Sequence, residues 1–116
     1  MQYRQLGKTD LIVSRICFGC WQLSPRFWGE VPLAPWRAAL KKALDLGVNF
    51  IDTADAYGNG YAESSLGEFL HAEGLRDRFI IATKFFWNFE KEKRHPDTSY
   101  DYINFYQKNT HLTSEA

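Results

Sequence analysis

Cysteine is scarce: Cys17 and Cys20 are the only two, too few for a disulfide scaffold. No sign of charge is in excess. Lys+Arg and Asp+Glu both number 14, for a formal net charge of zero. A protein that grips nucleic-acid phosphates needs a basic surplus, and so does a polybasic membrane-surface binder. Neither nucleic acid nor membrane is therefore an expected partner. No run approaches the ~20 apolar residues of a membrane span. The opening Met1-Gln2-Tyr3-Arg4-Gln5 lacks the apolar stretch of a secretory signal, so the expected compartment is cytoplasmic. His71, His95 and His111 are dispersed and show no ligand spacing, so no metal site is expected.

What is present is an apolar, aromatic-rich chain. The hydrophobic fraction of 45% and aromatic fraction of 16% exclude disorder. At 116 residues it is one domain at most, with a small core. Tyr3 to Leu6 and Leu11 to Val13 read as a hairpin that turns at Gly7. Arg15-Ile16-Cys17-Phe18 reads as a strand stopped by Gly19. Residues 20 to 34 carry Pro25, Gly29 and Pro32 and read as a loop. Pro35 suits the first turn of a helix, where the donor it lacks would be unpaired anyway. Trp36, Ala39, Leu40, Ala43 and Leu44 follow with helical spacing, and Gly47 ends the helix. Val48 to Ile51 is a second strand, closing at Asp52. Gly58 and Gly60 shape the next loop. Ala62, Leu66, Phe69 and Leu70 form a second helical stripe, stopped by Gly74. Phe79 to Ala82 is a third strand, apolar enough to be covered on both faces.

Strands alternating with helices of this length imply a parallel α/β arrangement with right-handed crossovers. The chain divides into residues 1–86, which carry this pattern, and 87–116, a divergent or truncated tail. Glu90 to His95 reads as a solvated loop. Thr98 or Ser99 suits the N-cap of a third helix, with Tyr102, Ile103 and Tyr106 on its apolar face.

Asp52, Tyr57 and Lys84 carry the chemistry. Asp52 ends the second strand and Lys84 follows the third. In a parallel sheet those ends lie side by side, about 4.8 Å apart. Tyr57 sits in the loop above the same rim, where parallel barrels build their sites. An ammonium beside a phenol stabilises its anion, and a carboxylate behind the lysine keeps it charged and oriented. The expected product is a tuned proton donor for a carbonyl oxygen. Taken singly, each residue has a plainer explanation: a turn carboxylate, a packed aromatic, a strand-end charge.

Asp52-Thr53-Ala54-Asp55-Ala56-Tyr57-Gly58, preceded by Gly47-Val48-Asn49-Phe50-Ile51, resembles the signature of the aldo-keto reductase family. Tyr3-Arg4-Gln5-Leu6-Gly7-Lys8-Thr9 is similar to that family's amino-terminal hairpin, which closes the bottom of a barrel. Phe18-Gly19-Cys20-Trp21-Gln22 and Ala82-Thr83-Lys84 are similar to its first and third strand ends. The resemblance implies the amino-terminal part of a (β/α)8 TIM barrel, left incomplete here, and an oxidoreductase that reduces aldehydes or ketones with NADPH. It implies catalytic roles for Asp52, Tyr57 and Lys84, with Tyr57 the proton donor. It implies cofactor contacts for Gly19, Cys20, Trp21 and Asp52. Cys20 stands where the family more usually has threonine. The family's fourth catalytic residue, a histidine after strand four, has no secured counterpart. Residues 99–103 align with the start of the family's third helix. Alternatively, residues 101–106 mimic its fourth strand, with Asn109 in the histidine's place.

Cys17-Phe18-Gly19-Cys20 spaces its thiols as a redox or zinc pair would. With no second pair and with Cys17 inside a strand, two unrelated thiols are expected. Trp21, Trp28 and Trp87 either line a substrate pocket or cover the core. Three strands cannot close an eight-stranded barrel, so an open edge is expected on the third. A second reading is therefore a non-catalytic fragment that self-associates or binds other chains through that edge.

Overall fold

A sheet of three parallel strands, ordered β3–β4–β5, forms the frame: β3 (Phe18–Gly19), β4 (Phe50–Asp52) and β5 (Ile80–Ala82). The computed structural model describes residues 1–85, 87–88 and 95–96. Two crossover helices, α2 (Leu33–Asp45) and α3 (Tyr61–Ala72), join the strands in the expected order. Register is Phe18 against Ile51, Gly19 against Asp52, and Asp52 against Ala82.

The apolar stripes explain why the helices lie where they do. Trp36 and Leu40 of α2 and Ala62, Leu66, Phe69 and Leu70 of α3 are buried with Ile51 in one cluster. Leu44 joins its edge, but Ala39 is exposed. The buried face of α2 is thus rotated from the expected stripe, and the Arg37 guanidinium lies over the Phe69 ring at 5.6 Å. Both helices end on the same device. Gly47 N–H donates to Leu44 O at 2.8 Å and Val48 N–H to Ala43 O at 2.9 Å, and Gly74 and Leu75 repeat the pattern on His71 and Leu70. This is the Schellman arrangement, with glycine in the left-handed region at φ 90° and 63°.

The hairpin of β1 (Tyr3–Gln5) and β2 (Ile12–Ser14) is antiparallel, as expected. It is latched to the chain just ahead of β4. Asn49 Oδ1 accepts from Ser14 N–H at 2.7 Å, and Tyr3 Oη donates to Gly47 O at 2.8 Å. Both ties precede β4, whereas Asp52 closes it, so the hairpin sits at the end of the sheet opposite the acidic rim.

Five expectations change. The first strand shrinks to Phe18–Gly19. The stretch expected to be a loop winds into a 3-10 turn at Trp21–Leu23 and a short helix, α1 (Pro25–Trp28), with proline at its first position. The helix around Pro35 begins two residues earlier, at Leu33, so Pro35 still lies in the donor-poor first turn. The third strand is only half-buried at Ile80, Ile81 and Ala82, because among the described residues no strand lies beyond β5. In the tail, Trp87–Asn88 pairs antiparallel with His95–Pro96, so His95, expected at the end of a solvated loop, stands in a short strand, and residues 90–94 of that loop lie outside the described residues. The possible third helix or fourth strand lies outside the described residues.

Gly47 tests the latch. A Cβ there would stand 2.8 Å from Tyr3 Oη and 2.9 Å from Met1 Cβ, whereas one at Gly74 meets nothing within 4 Å. Gly47→Ala and Gly74→Ala should each cost about 1 kcal/mol for the left-handed backbone. Gly47→Ala should cost clearly more in urea unfolding. Equal losses would show that the hairpin does not press on this turn.

Candidate active site

Each functional side chain is placed by the end of a strand. Asp52 closes β4, and its backbone carbonyl accepts from Cys20 N–H at 2.9 Å, which ties the end of β3 to it. Thr53 N–H donates to Ala82 O at 2.8 Å and Asp55 N–H to Lys84 O at 3.3 Å. Those bonds extend the ladder past the strand ends and carry Lys84 over the rim. Tyr57 follows in a turn, its N–H donating to Ala54 O at 3.2 Å. Gly58, Asn59 and Gly60 then run through left-handed backbone into α3, at φ 64°, 54° and 89°.

Lys84 is the hub. Its Nζ donates to Asp52 Oδ1 at 2.8 Å, to Asp52 Oδ2 at 2.9 Å and to Thr53 O at 2.8 Å. The same ammonium lies 5.2 Å from the centroid of the Tyr57 ring. The three residues singled out from the sequence are therefore brought together. Asp52 and Lys84 remain about half exposed, at 41% and 52% of their side chains. Burial alone would lower the lysine's pKa. The hydrogen bond and charge of Asp52, with a smaller contribution from Tyr57, outweigh it and hold the value above 10.5.

The residues expected at the cofactor divide. Gly19 is exposed at the rim, and a Cβ built on it would meet nothing within 4 Å, so the space above it is open. Trp21 is 45% exposed and stands 6.4 Å from the Tyr57 ring. Cys20 is fully buried, in the core cluster with Leu23 and Ile51. Burial, then the Asp52 charge, pushes its thiol up to about 12. Cys17 is exposed, and both cysteines are free.

Trp21 and Trp28 are expected either to line a pocket or to cover the core, and the structure leaves both exposed; Phe27 and Glu63 are not singled out by the sequence. Trp21 packs on Phe27 at 5.7 Å and on Trp28 at 5.5 Å, and all three rings are exposed. They form an aromatic wall that runs from α1 to Tyr57. On the other side, buried Glu63 accepts from Thr83 Oγ1 at 2.5 Å. Its sequence signal was a carboxylate three residues before Leu66 and seven before Leu70, on an otherwise apolar face. Among the described residues no group of three or more His, Cys, Asp or Glu could hold a metal ion, and no helix is long and apolar enough to cross a membrane.

Known proteins carry the same frame. The family model described as "Aldo/keto reductase family" matches residues 15–106, reaching past Lys84 into the tail. The chain belongs to the aldo-keto reductase family, a family of oxidoreductases. It is 46% identical over 89 residues to a 6-dehydroglucose reductase of Novosphingobium aromaticivorans, covering 71% of this chain and 28% of that protein. It is 39% identical over 88 residues to a probable voltage-gated potassium channel subunit beta of Arabidopsis thaliana, covering 75% of this chain and 26% of that protein. Among solved structures, the holo form of an aldo-keto reductase from Bacillus halodurans superposes with a TM-score of 0.76 at 38% identity. That match covers 93% of this chain and 34% of the solved one. The chain is thus a (β/α)8 barrel segment, about a third of the solved barrels and about a quarter of the curated relatives in length.

Proton linkage here has one sign. Lys84 holds its proton more tightly in the folded chain, so its stabilisation is complete below pH 10.5 and lost as pH rises through the folded value. The Cys20 thiol ionises near its ordinary 9.0 when unfolded and at about 12 when folded. Unfolding is therefore favoured from about pH 9 upward. Stability in urea should fall by about 2 kcal/mol between neutral pH and pH 10.5, and Cys20→Ala should remove most of that slope. An alkaline slope unchanged in Cys20→Ala would refute the thiol's part.

Proposed function

We propose that this chain supplies the proton-donating side of a carbonyl-reducing site, with Tyr57 as proton donor and Asp52 and Lys84 as its electrostatic support. The observation that carries this reading is the Lys84 ammonium, held by both oxygens of Asp52 and seated 5.2 Å from the Tyr57 ring. A cation so placed favours negative charge developing on the phenol oxygen as its proton leaves. The carboxylate prevents the lysine from drifting into water. Asp52, Lys84 and Tyr57 thus form a relay that ends on a half-buried phenol.

NADPH is the cofactor this reading implies, and the described residues fit one end of it. Open space lies over Gly19, the exposed Trp21 ring follows two residues on and stands 6.4 Å from the Tyr57 ring, and Asp52 stands beside Gly19 across the β3–β4 pair. Bound NADPH would supply the hydride to the carbonyl carbon. Gly19 would let a flat ring lie close to the sheet, and Trp21 would bound it. Cys20, whose thiol is in the core, would act by holding its two neighbours in place. Tyr57 would give its proton to the carbonyl oxygen, and Lys84 would stabilise the phenolate left behind. The wall of Trp21, Phe27 and Trp28 would pack against the substrate. A sugar-derived carbonyl, of the kind named for the Novosphingobium relative, has C–H faces suited to it. Such chemistry belongs in a cytoplasmic setting, with no call on nucleic acid or membrane.

Grafting residues 15–85 into the Bacillus halodurans barrel in place of its own segment should give a chimera that reduces aldehydes. Tyr57→Phe in that chimera should lower kcat by about a hundredfold or more, with cofactor affinity little changed. Retained turnover would remove the proton-donor role.

A second reading is favoured by the half-exposed β5, whose Ile80, Ile81 and Ala82 border an unpaired ladder among the described residues. The 116-residue chain would self-associate or pair with another chain along that edge. Size-exclusion chromatography should show species larger than the monomer that grow with concentration. A sharp monomer peak at every concentration would sink this reading.

A further inference from the structure

We infer that Glu63, acting through Thr83, is a positioning residue for Lys84. The inference rests on the assignment of Lys84 to the reducing site. Its test reads the lysine itself, so the chemistry could fail while the placement holds.

Glu63 lies in the first turn of α3 and is only 4% exposed. A carboxylate this deep is costly to bury unless its oxygens are hydrogen-bonded. One of them accepts from Thr83 Oγ1 at 2.5 Å. Thr83 itself is exposed and lies past the last residue of β5. The ladder bonds to Ala82 O and Lys84 O hold its backbone to the β4 segment, and the bond to Glu63 ties its side chain to the helix layer.

The consequence for Lys84 follows from extended-chain geometry. Successive side chains point to opposite faces. Ile81 and Thr83 share the helix side, where Ile81 packs on the core and Thr83 meets Glu63. Ala82 and Lys84 share the other face with Asp52, whose register partner is Ala82. Pinning Thr83 outward therefore turns Lys84 inward, onto Asp52 and Thr53 O. The lysine stem has four rotatable carbons and would otherwise sample solvent, since 52% of the side chain is exposed.

The test is acylation of the native 116-residue chain with an N-hydroxysuccinimide acetate at pH 8, each lysine followed by peptide mass spectrometry. Lys41, paired with Glu73 on another part of the surface, serves as the internal reference. Thr83→Val keeps the shape and removes the donor. It should speed labelling of Lys84 about two- to tenfold, the factor carried by one modest hydrogen bond. Thr83→Ser restores the hydroxyl and should return the rate to that of the parent chain. Glu63→Gln keeps an acceptor oxygen and should stay near the parent rate. Acceleration confined to Lys84 and reversed in Thr83→Ser supports the assignment. No change at Lys84 in Thr83→Val, or equal acceleration at Lys41, overturns it. In the reductase chimera the same Thr83→Val should lower kcat several-fold with the cofactor KM unchanged, a split that simple loss of stability would not produce.

Discussion

The parallel register of β4 and β5 is the constraint on which the rest depends. Asp52 stands opposite Ala82, and Lys84 lies two residues further on, so period-two alternation puts the carboxylate and the ammonium on one face. A slip of one residue would send Lys84 toward α3 and Ile81 out of the core. Register is therefore enforced by packing, not by the site. Ile51 is fully buried and Ile81 packs on the same cluster, and neither can change face without losing its apolar surroundings.

Energetics place the ion pair downstream of the fold. An exposed Lys–Asp contact contributes about 0–1 kcal/mol. Burying a leucine or isoleucine side chain contributes about 1.5–3 kcal/mol. Leu23, Leu40, Ile51, Leu66 and Leu70 are all buried to the last few square ångströms. Helices α2 and α3 stop at Gly47 and Gly74 through paired backbone bonds, which turn the chain back toward the sheet three residues before β4 and six before β5. Asp52 and Lys84 meet because these elements bring them together. Their attraction sharpens a geometry that already exists.

Much of this was legible in residue spacing, and the limits have physical causes. The stripe of Ala62, Leu66, Phe69 and Leu70, the stops at Gly47 and Gly74, and the convergence of Asp52, Tyr57 and Lys84 all follow local rules that the structure obeys. The segment from Cys20 to Ala34 did not read correctly. Pro25 in sequence reads as a breaker, whereas at the first position of a helix proline is favoured, and four residues are too few for a periodic signal. Ala39 misled because a small apolar residue fits the stripe of α2 without needing burial. Cys20 and Trp21 read as equal contacts for a ligand. Only the burial of one and the exposure of the other show that they point to different sides of the sheet. The pairing of Glu63 with Thr83 is a long-range match between an exposed hydroxyl and a buried acid, which no window of sequence contains.

The site's exposure bears on the chemistry. An ammonium in water is screened, and its effect on a neighbouring phenol is a fraction of what it becomes in a dry cleft. Here the Lys84 and Asp52 side chains keep 52% and 41% of their surface in solvent. The ammonium and the carboxylate meet at hydrogen-bond distance beside the phenol ring, but without the low-dielectric surroundings in which such charges act most strongly. The half-buried residues of β5 and the exposed rings of Trp21, Phe27 and Trp28 are surfaces of the same kind, apolar groups awaiting cover beside the polar cluster. Any surface laid against β5 and over the aromatic wall would bury both sets at once. Closing the apolar gaps and strengthening the electrostatics of Asp52, Lys84 and Tyr57 are then one physical event, since the surfaces that exclude water are those that border the charges.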